Sequence, residues 1–177
     1  MIVLPPQLRY EHIETEAVLD GAMFQEADVR TSMMEAAMRS LREAGCAVVQ
    51  APTLGSGDGA SGWDGLVARS VELLRPGGPG RAIAELSEAS GHDPGRVVLV
   101  HHVRVKVGPR GTWDPNSGAI TSPMSSAHFR AALIRCMDGE VLWRSEVFLR
   151  QVPRAGNRKH QEAIQSLYSS TLQETVP

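Results

Sequence analysis

Aromatic residues are scarce in this chain: three Trp, two Tyr and three Phe make up 5% of its 177 residues. A core of ordinary size must therefore rest on Val, Leu, Ile, Ala and Met. Cysteine is scarcer still, with Cys46 and Cys136 alone. Two thiols cannot staple a multi-bridge scaffold, and no Cys-x-x-Cys or His-x-x-x-His spacing marks a metal site. Each cysteine sits in an apolar segment, which fits a buried structural thiol; whether the two pair is left open by the sequence. Neither sign of charge dominates, the formal net charge being -2. That balance argues against a dedicated nucleic-acid surface, which would be basic. No apolar run approaches the ~20 residues that cross a bilayer. There is no Gly-x-Ser-x-Gly nucleophile elbow, and no pair of carboxylates closes a strand; Asp64, Glu72, Glu85 and Glu88 fall on helical segments as solvated faces.

What is present is a long β-branched stretch, Arg96 to Val107. Its odd positions, from Val97 to Val107, form one face that is apolar apart from His101. Its even positions begin with Val98 and Val100 and turn to His102, Arg104 and Lys106. This is the pattern of a strand buried on both faces at its start and on one at its end.

The other elements are placed relative to that strand. Ile2-Val3-Leu4 reads as a first strand stopped by Pro5-Pro6. Residues 7–28 read as an irregular excursion with a short strand near Leu8 to Ile13. From Val29 to Ala44 the pattern is helical, with Met33, Met34, Ala37, Met38 and Leu41 on one face, Asp28 or Thr31 as cap and Gly45 as C-terminal stop. That methionine stripe packs most simply on a sheet, although a partner-binding surface would look alike. Cys46 to Ala51 reads as a strand parallel to the first. Helical stretches at Trp63 to Leu74 and Ala82 to Ala89 are split by the Pro76-to-Gly80 break. Strands at Ser125 to Met137 and Glu140 to Val152 follow, joined by Asp138-Gly139 as a hairpin turn. A helix from Arg158 to Leu172 closes the chain. The order β-α-β-α-α-β-β-β-α predicts one domain over 1–177 of α/β (α+β) class, a mixed sheet of about five strands in two or three layers. Loops are expected at 52–62 and 108–124.

Three features carry any chemistry. Gly57-Asp-Gly59-Ala-Ser-Gly62 matches the dinucleotide-binding glycine pattern, but it begins several residues after Pro52 and no following strand closes a compact ~30-residue unit, so a linker is the better reading. His101 and His102 are adjacent in a strand and point to opposite faces; His101 reads as a buried, hydrogen-bonded side chain. His102 and His128 lie on successive strands and, with His92 or Asp93, give the one metal-site reading. Arg104, Lys106, Arg130, Arg144 and Arg150 form a basic stripe on the half-exposed sheet, a common way to discourage edge pairing, with no interleaved aromatics for single-stranded nucleic acid.

Several phrases resemble a known group. Ile-Val-Leu-Pro-Pro at the start, the unit from Met38 through Gly45 to Val49, and the hairpin from Ala131 through Asp138-Gly139 to Trp143 look like the α/β domain shared by the TolB amino-terminal region, the CsgG curli channel lipoprotein and the LpoB penicillin-binding-protein activator. The break at Pro76 to Gly80 and the insertion from Gly108 to Pro123 depart from that pattern. The resemblance implies a non-enzymatic module without cofactor, acting through an envelope protein partner. It implies a periplasmic location at the outer membrane through a lipid on a leader ahead of Met1; a cytoplasmic regulatory domain is the alternative. Trp113, with Arg110 and Asn116, is the expected partner contact on the long surface loop. The open edge of a mixed sheet makes homo-oligomerisation easy. The competing reading is a small nucleotide- or metal-binding enzyme using Gly57 to Gly62 or His102 and His128.

Overall fold

The valine-rich stretch becomes β4 (Val97–Val107), the centre of a six-stranded mixed sheet. The computed structural model describes residues 1–12, 26–50, 73–74, 80–93, 95–107, 126–150 and 157–169. On one side of β4 lie β1 (Ile2–Val3) and β2 (Gln7–His12), both parallel to it. On the other side β5 (Ser126–Arg135) is antiparallel, followed by β6 (Val141–Leu149) at the edge. The opposite edge is β3 (Val49–Gln50), parallel to β1. The expected division holds: parallel pairing before β4 and an antiparallel meander after it.

β1 and β2 are one strand interrupted by prolines. Val3 opposes Leu99 and Gln7 opposes His102, so this side advances four residues while β4 advances three. The extra residue lies in Leu4-Pro5-Pro6, where two consecutive prolines bring no N–H to the ladder. The sixth strand, β2, is the short one expected near Leu8.

Among the described residues three helices make three layers with the sheet. α1 (Glu26–Glu43) and α3 (Arg158–Ser169) cover one face. There Val29, Met33, Ala37 and Leu41 of α1 and Ile164, Leu167 and Tyr168 of α3 bury against Leu99, Val103, Phe129, Leu133 and Trp143. α2 (Gly80–Ala89) covers part of the other face, where Leu86 joins Leu73 and Leu74 over Val98, Val100, Ala132, Ile134 and Cys136. The two faces of β4 and β5 are those set by the alternation in the sequence. Met34 and Met38 are only half-buried at the margin of α1, so the stripe is core along Met33, Ala37 and Leu41.

Boundaries differ where local signals competed. α1 begins at Glu26, which places Asp28 and Thr31 inside the helix and not at its cap; Glu26 and Ala27 are good helix formers and extend it. Its end is as expected: Gly45 has φ +80°, with the Cys46 N–H bonding Leu41 O at 3.0 Å and the Gly45 N–H bonding Arg42 O at 2.9 Å. β3 has two residues, shorter than the Cys46-to-Ala51 expectation, because only Val49 and Gln50 reach β1. α3 starts behind Asn157, whose Oδ1 accepts the Lys159 N–H at 3.0 Å. Both cysteines are free thiols, Cys136 buried and Cys46 partly so.

Candidate functional site: the polar half of the sheet

The even-numbered side chains of β4 change character along the strand. Val98 and Val100 belong to the core under α2, His102 is buried at the border, Arg104 is exposed and Lys106 half-exposed. Residues directly opposite in a sheet share a face. The register therefore adds Arg130 beside His102 and His128 beside Arg104, then Glu146 beside Arg130 and Phe148 beside His128. β2 contributes Arg9 beside Arg104 and Glu11 beside Lys106.

The charges on this surface do not cancel. Arg9, Arg104, Lys106, Arg130 and Arg144 face two carboxylates, Glu11 and Glu146. The Arg104 guanidinium donates to Glu11 Oε2 at 2.7 Å, and Arg9 Nε lies 3.7 Å from Oε1. The hydrogen bond from Arg104 holds the Glu11 carboxyl below its ordinary pKa. His128 Nε2 sits 3.0 Å from Glu146 Oε2, and its ring meets Phe148 edge-on with centroids 6.2 Å apart. Phe148 is 59% exposed, an aromatic left in water beside the basic stripe. Lys106 and Arg144 make no ion pair with any described residue.

His102 is the buried end of this surface. Arg130 Nη2 approaches its Nδ1 at 3.5 Å, and a guanidinium can only donate, so Nδ1 accepts and Nε2 carries the proton. Burial, and after it the positive charges of Arg130 and Arg9, lower the imidazole to about 4. It is neutral at pH 7.

His102 and His128 lie one step apart diagonally, but each turns to its own partner, Arg130 and Glu146 respectively. A cation beside the His102 acceptor nitrogen opposes a metal ion there. The suggested third ligands precede β4 at its far end: Asp93 bridges to Arg96 at 3.2 Å and His92 Nδ1 to Ser87 Oγ at 2.9 Å. Among the described residues no group of three His, Cys, Asp or Glu side chains is placed to hold a metal. Burial pushes the Cys136 thiol up to about 11, which keeps it protonated and poorly nucleophilic.

His101, on the covered face, is fully buried. Its Nε2–H donates to Leu4 O, and its Nδ1 accepts the Tyr168 O–H at 2.6 Å. It is the hydrogen-bonded core histidine its position indicates.

Trp113, Arg110, Asn116 and the loop from Gly57 to Gly62 lie outside the described residues. The chain enters the segment 108–125 from Val107 and leaves it at Ser126, which stands opposite Lys106 at the polar end of the sheet. The basic stripe of Arg104, Lys106, Arg130 and Arg144 was legible as alternation; Arg150, expected on it as well, stands one residue past the end of β6. Arg9 and Glu11 were not placed on it, although Gln7, Arg9 and Glu11 alternate with Leu8 and Tyr10; Phe148 was missed because an apolar residue next to Val147 and Leu149 reads as core.

No family model and no curated protein matches the chain. Among solved structures it is similar to the lipoprotein GNA1162 from Neisseria meningitidis, at 16% identity and a TM-score of 0.41, over 93% of this chain and 91% of that one.

Proposed function

We propose that this protein is a non-catalytic binding or assembly module of the bacterial cell envelope, of the periplasmic lipoprotein type, which holds an acidic protein partner against the polar half of its sheet. The observation that carries the reading is the one-sided surface itself. Five cations meet two carboxylates there, and Phe148 stands exposed among them. Aromatic anchors beside Arg are the composition of protein contact sites, and an uncompensated positive field steers an acidic partner. The partner contact expected at Arg110, Trp113 and Asn116 belongs to the stretch of sequence between Val107 and Ser126, two described residues at this end of the sheet. The envelope assignment rests on the likeness of Ile2 to Pro6 and of the Asp138-Gly139 hairpin to envelope lipoprotein domains.

The test is photo-crosslinking in the native cell envelope. A photoreactive residue at Phe148 or Arg104 is expected to give an adduct of defined mass, and the same residue at Glu35, exposed on α1 on the opposite layer, none. Lys106→Glu in the same chain should weaken the adduct severalfold. Loss of adducts at both sheet positions, or adducts indifferent to Lys106→Glu, sinks the proposal.

A further inference from the structure

The sheet has two edges among its described strands, and they are unequal. β3 offers two residues, too few to hold a partner strand. β6 offers nine, Val141-Leu-Trp-Arg-Ser-Glu-Val-Phe-Leu149, and among the described strands only β5 pairs with it, on one side. A row of backbone donors and acceptors therefore runs along its outer side. Edges of this length are commonly blunted by charge, and β6 does carry Arg144 and Glu146. Their signs are opposite and they flank Ser145.

That arrangement is self-complementary. When two copies of β6 pair antiparallel about a two-fold axis perpendicular to the sheet, each face continues as the same face, and paired residue numbers sum to an even value. With Ser145 opposite itself, Arg144 of each copy opposes Glu146 of the other, twice over. Trp143 then opposes Val147. The neighbouring registers fail. Centring on Arg144 or on Glu146 sets like charges against each other, and centring on Val147 sets Arg144 against Arg150. Centring on Trp143 leaves Arg144 opposite Leu142, where the ladder with β5 is already irregular, and Glu146 opposite Glu140. Like charges directly opposite are destabilising and opposite charges stabilising, by similar amounts. Arg144 has no ion pair with a described residue, and Glu146, which pairs with His128, keeps its side chain 62% exposed. Both are available to the partner copy.

We infer that the chain forms a symmetric dimer through antiparallel β6–β6 pairing centred on Ser145, joining two sheets into one continuous sheet. The polar faces of the two copies then lie side by side, so the pairing doubles the proposed contact surface without covering it. The occupant of the edge is a second copy of this chain because the register that matches its charges is its own.

The experiment is sedimentation equilibrium of the full chain with three charge variants. Wild type should show a monomer–dimer equilibrium. Arg144→Glu and Glu146→Arg alone each turn two attractive pairs into repulsive ones and should weaken the dimer about tenfold or more. Arg144→Glu with Glu146→Arg restores the pairs with signs exchanged and should restore the dimer, which a merely misfolded variant would not do. Ser145→Cys should cross-link the dimer under mild oxidation, since opposite residues of antiparallel strands have Cα atoms about 4.5–5.5 Å apart, within disulfide reach; wild type carries Cys46 and Cys136 as the control. A chain that is monomeric at every concentration, or a dimer unmoved by Arg144→Glu, overturns the inference.

Discussion

Position 101 would suit another valine by its neighbours, and a histidine stands there because of two prolines on the adjacent strand. Pro5 and Pro6 interrupt the ladder just past Leu4, and the imidazole bends back to satisfy the Leu4 carbonyl. Its other nitrogen then needs a donor, which Tyr168 supplies from α3. Burial lowers this imidazole to about 4 from an ordinary value near 6.5, partly opposed by the Leu4 hydrogen bond. The native state thus stays unprotonated at a pH where the unfolded chain takes up a proton. The contribution to stability is complete above pH ~6.5 and is lost as pH falls through the window down to about 4, by about 3 kcal/mol for a group this deeply buried. His102 titrates in the same sense and window, whereas the lowered carboxyls of Glu11 and Asp138 act only below their ordinary range. Urea titrations from pH 7.5 to 4.5 should show the wild type losing stability steeply. His101→Leu, less stable at neutral pH, should lose distinctly less. Equal losses in both would mean that the imidazole is protonated in the native state.

Among the elements, the β5–β6 hairpin shows how a correct signal misplaces its boundaries. Asp138-Gly139 does make the turn, but the connection has four residues, Cys136 to Gly139, closed by the Arg135 N–H bonding Glu140 O at 2.9 Å. A two-residue type I′ turn needs positive φ at both central positions. Only Gly139 has it, at +73°, and Asp138 does not. The aspartate works as a local acceptor, taking the Glu140 N–H at 3.0 Å and Arg135 Nη1 at 2.9 Å. Those bonds, the Glu140 N–H first, hold its carboxyl below the usual range. A β-carbon at residue 139 forces the left-handed region on an ordinary side chain, so Gly139→Ala should cost about 1–2 kcal/mol. Thermal or denaturant unfolding measures it directly, and a change within error would mean that the turn relaxes into another conformation.

For the whole molecule, alternation along single segments made the faces of β4 and β5 legible, because period-two burial is written locally. What covers each face was not legible, since it depends on contacts between residues far apart in sequence. Leu4, His101 and Tyr168 meet at one point, yet nothing near Leu4 signals that the carboxy-terminal helix arrives there. The candidate surface divided in the same way: its arginines were readable along β4 to β6, but its contribution from β2 required knowing that β2 runs beside β4. The same long-range logic makes α3 part of the domain and not an appendage. Ile164, Leu167 and Tyr168 are each at most 4% exposed, and they roof Phe129, Leu133 and Trp143. Burying three such side chains contributes roughly 5–8 kcal/mol, comparable to the whole net stability of a typical domain at about 5–15 kcal/mol. Ending the chain after Asn157 would also leave the His101 acceptor and a broad apolar face open to water. The truncated chain should lose its cooperative urea transition and bind a hydrophobic dye that the full chain ignores. A truncated chain that unfolds cooperatively with an unchanged denaturant slope would mean that this face of the sheet does not need its helical roof.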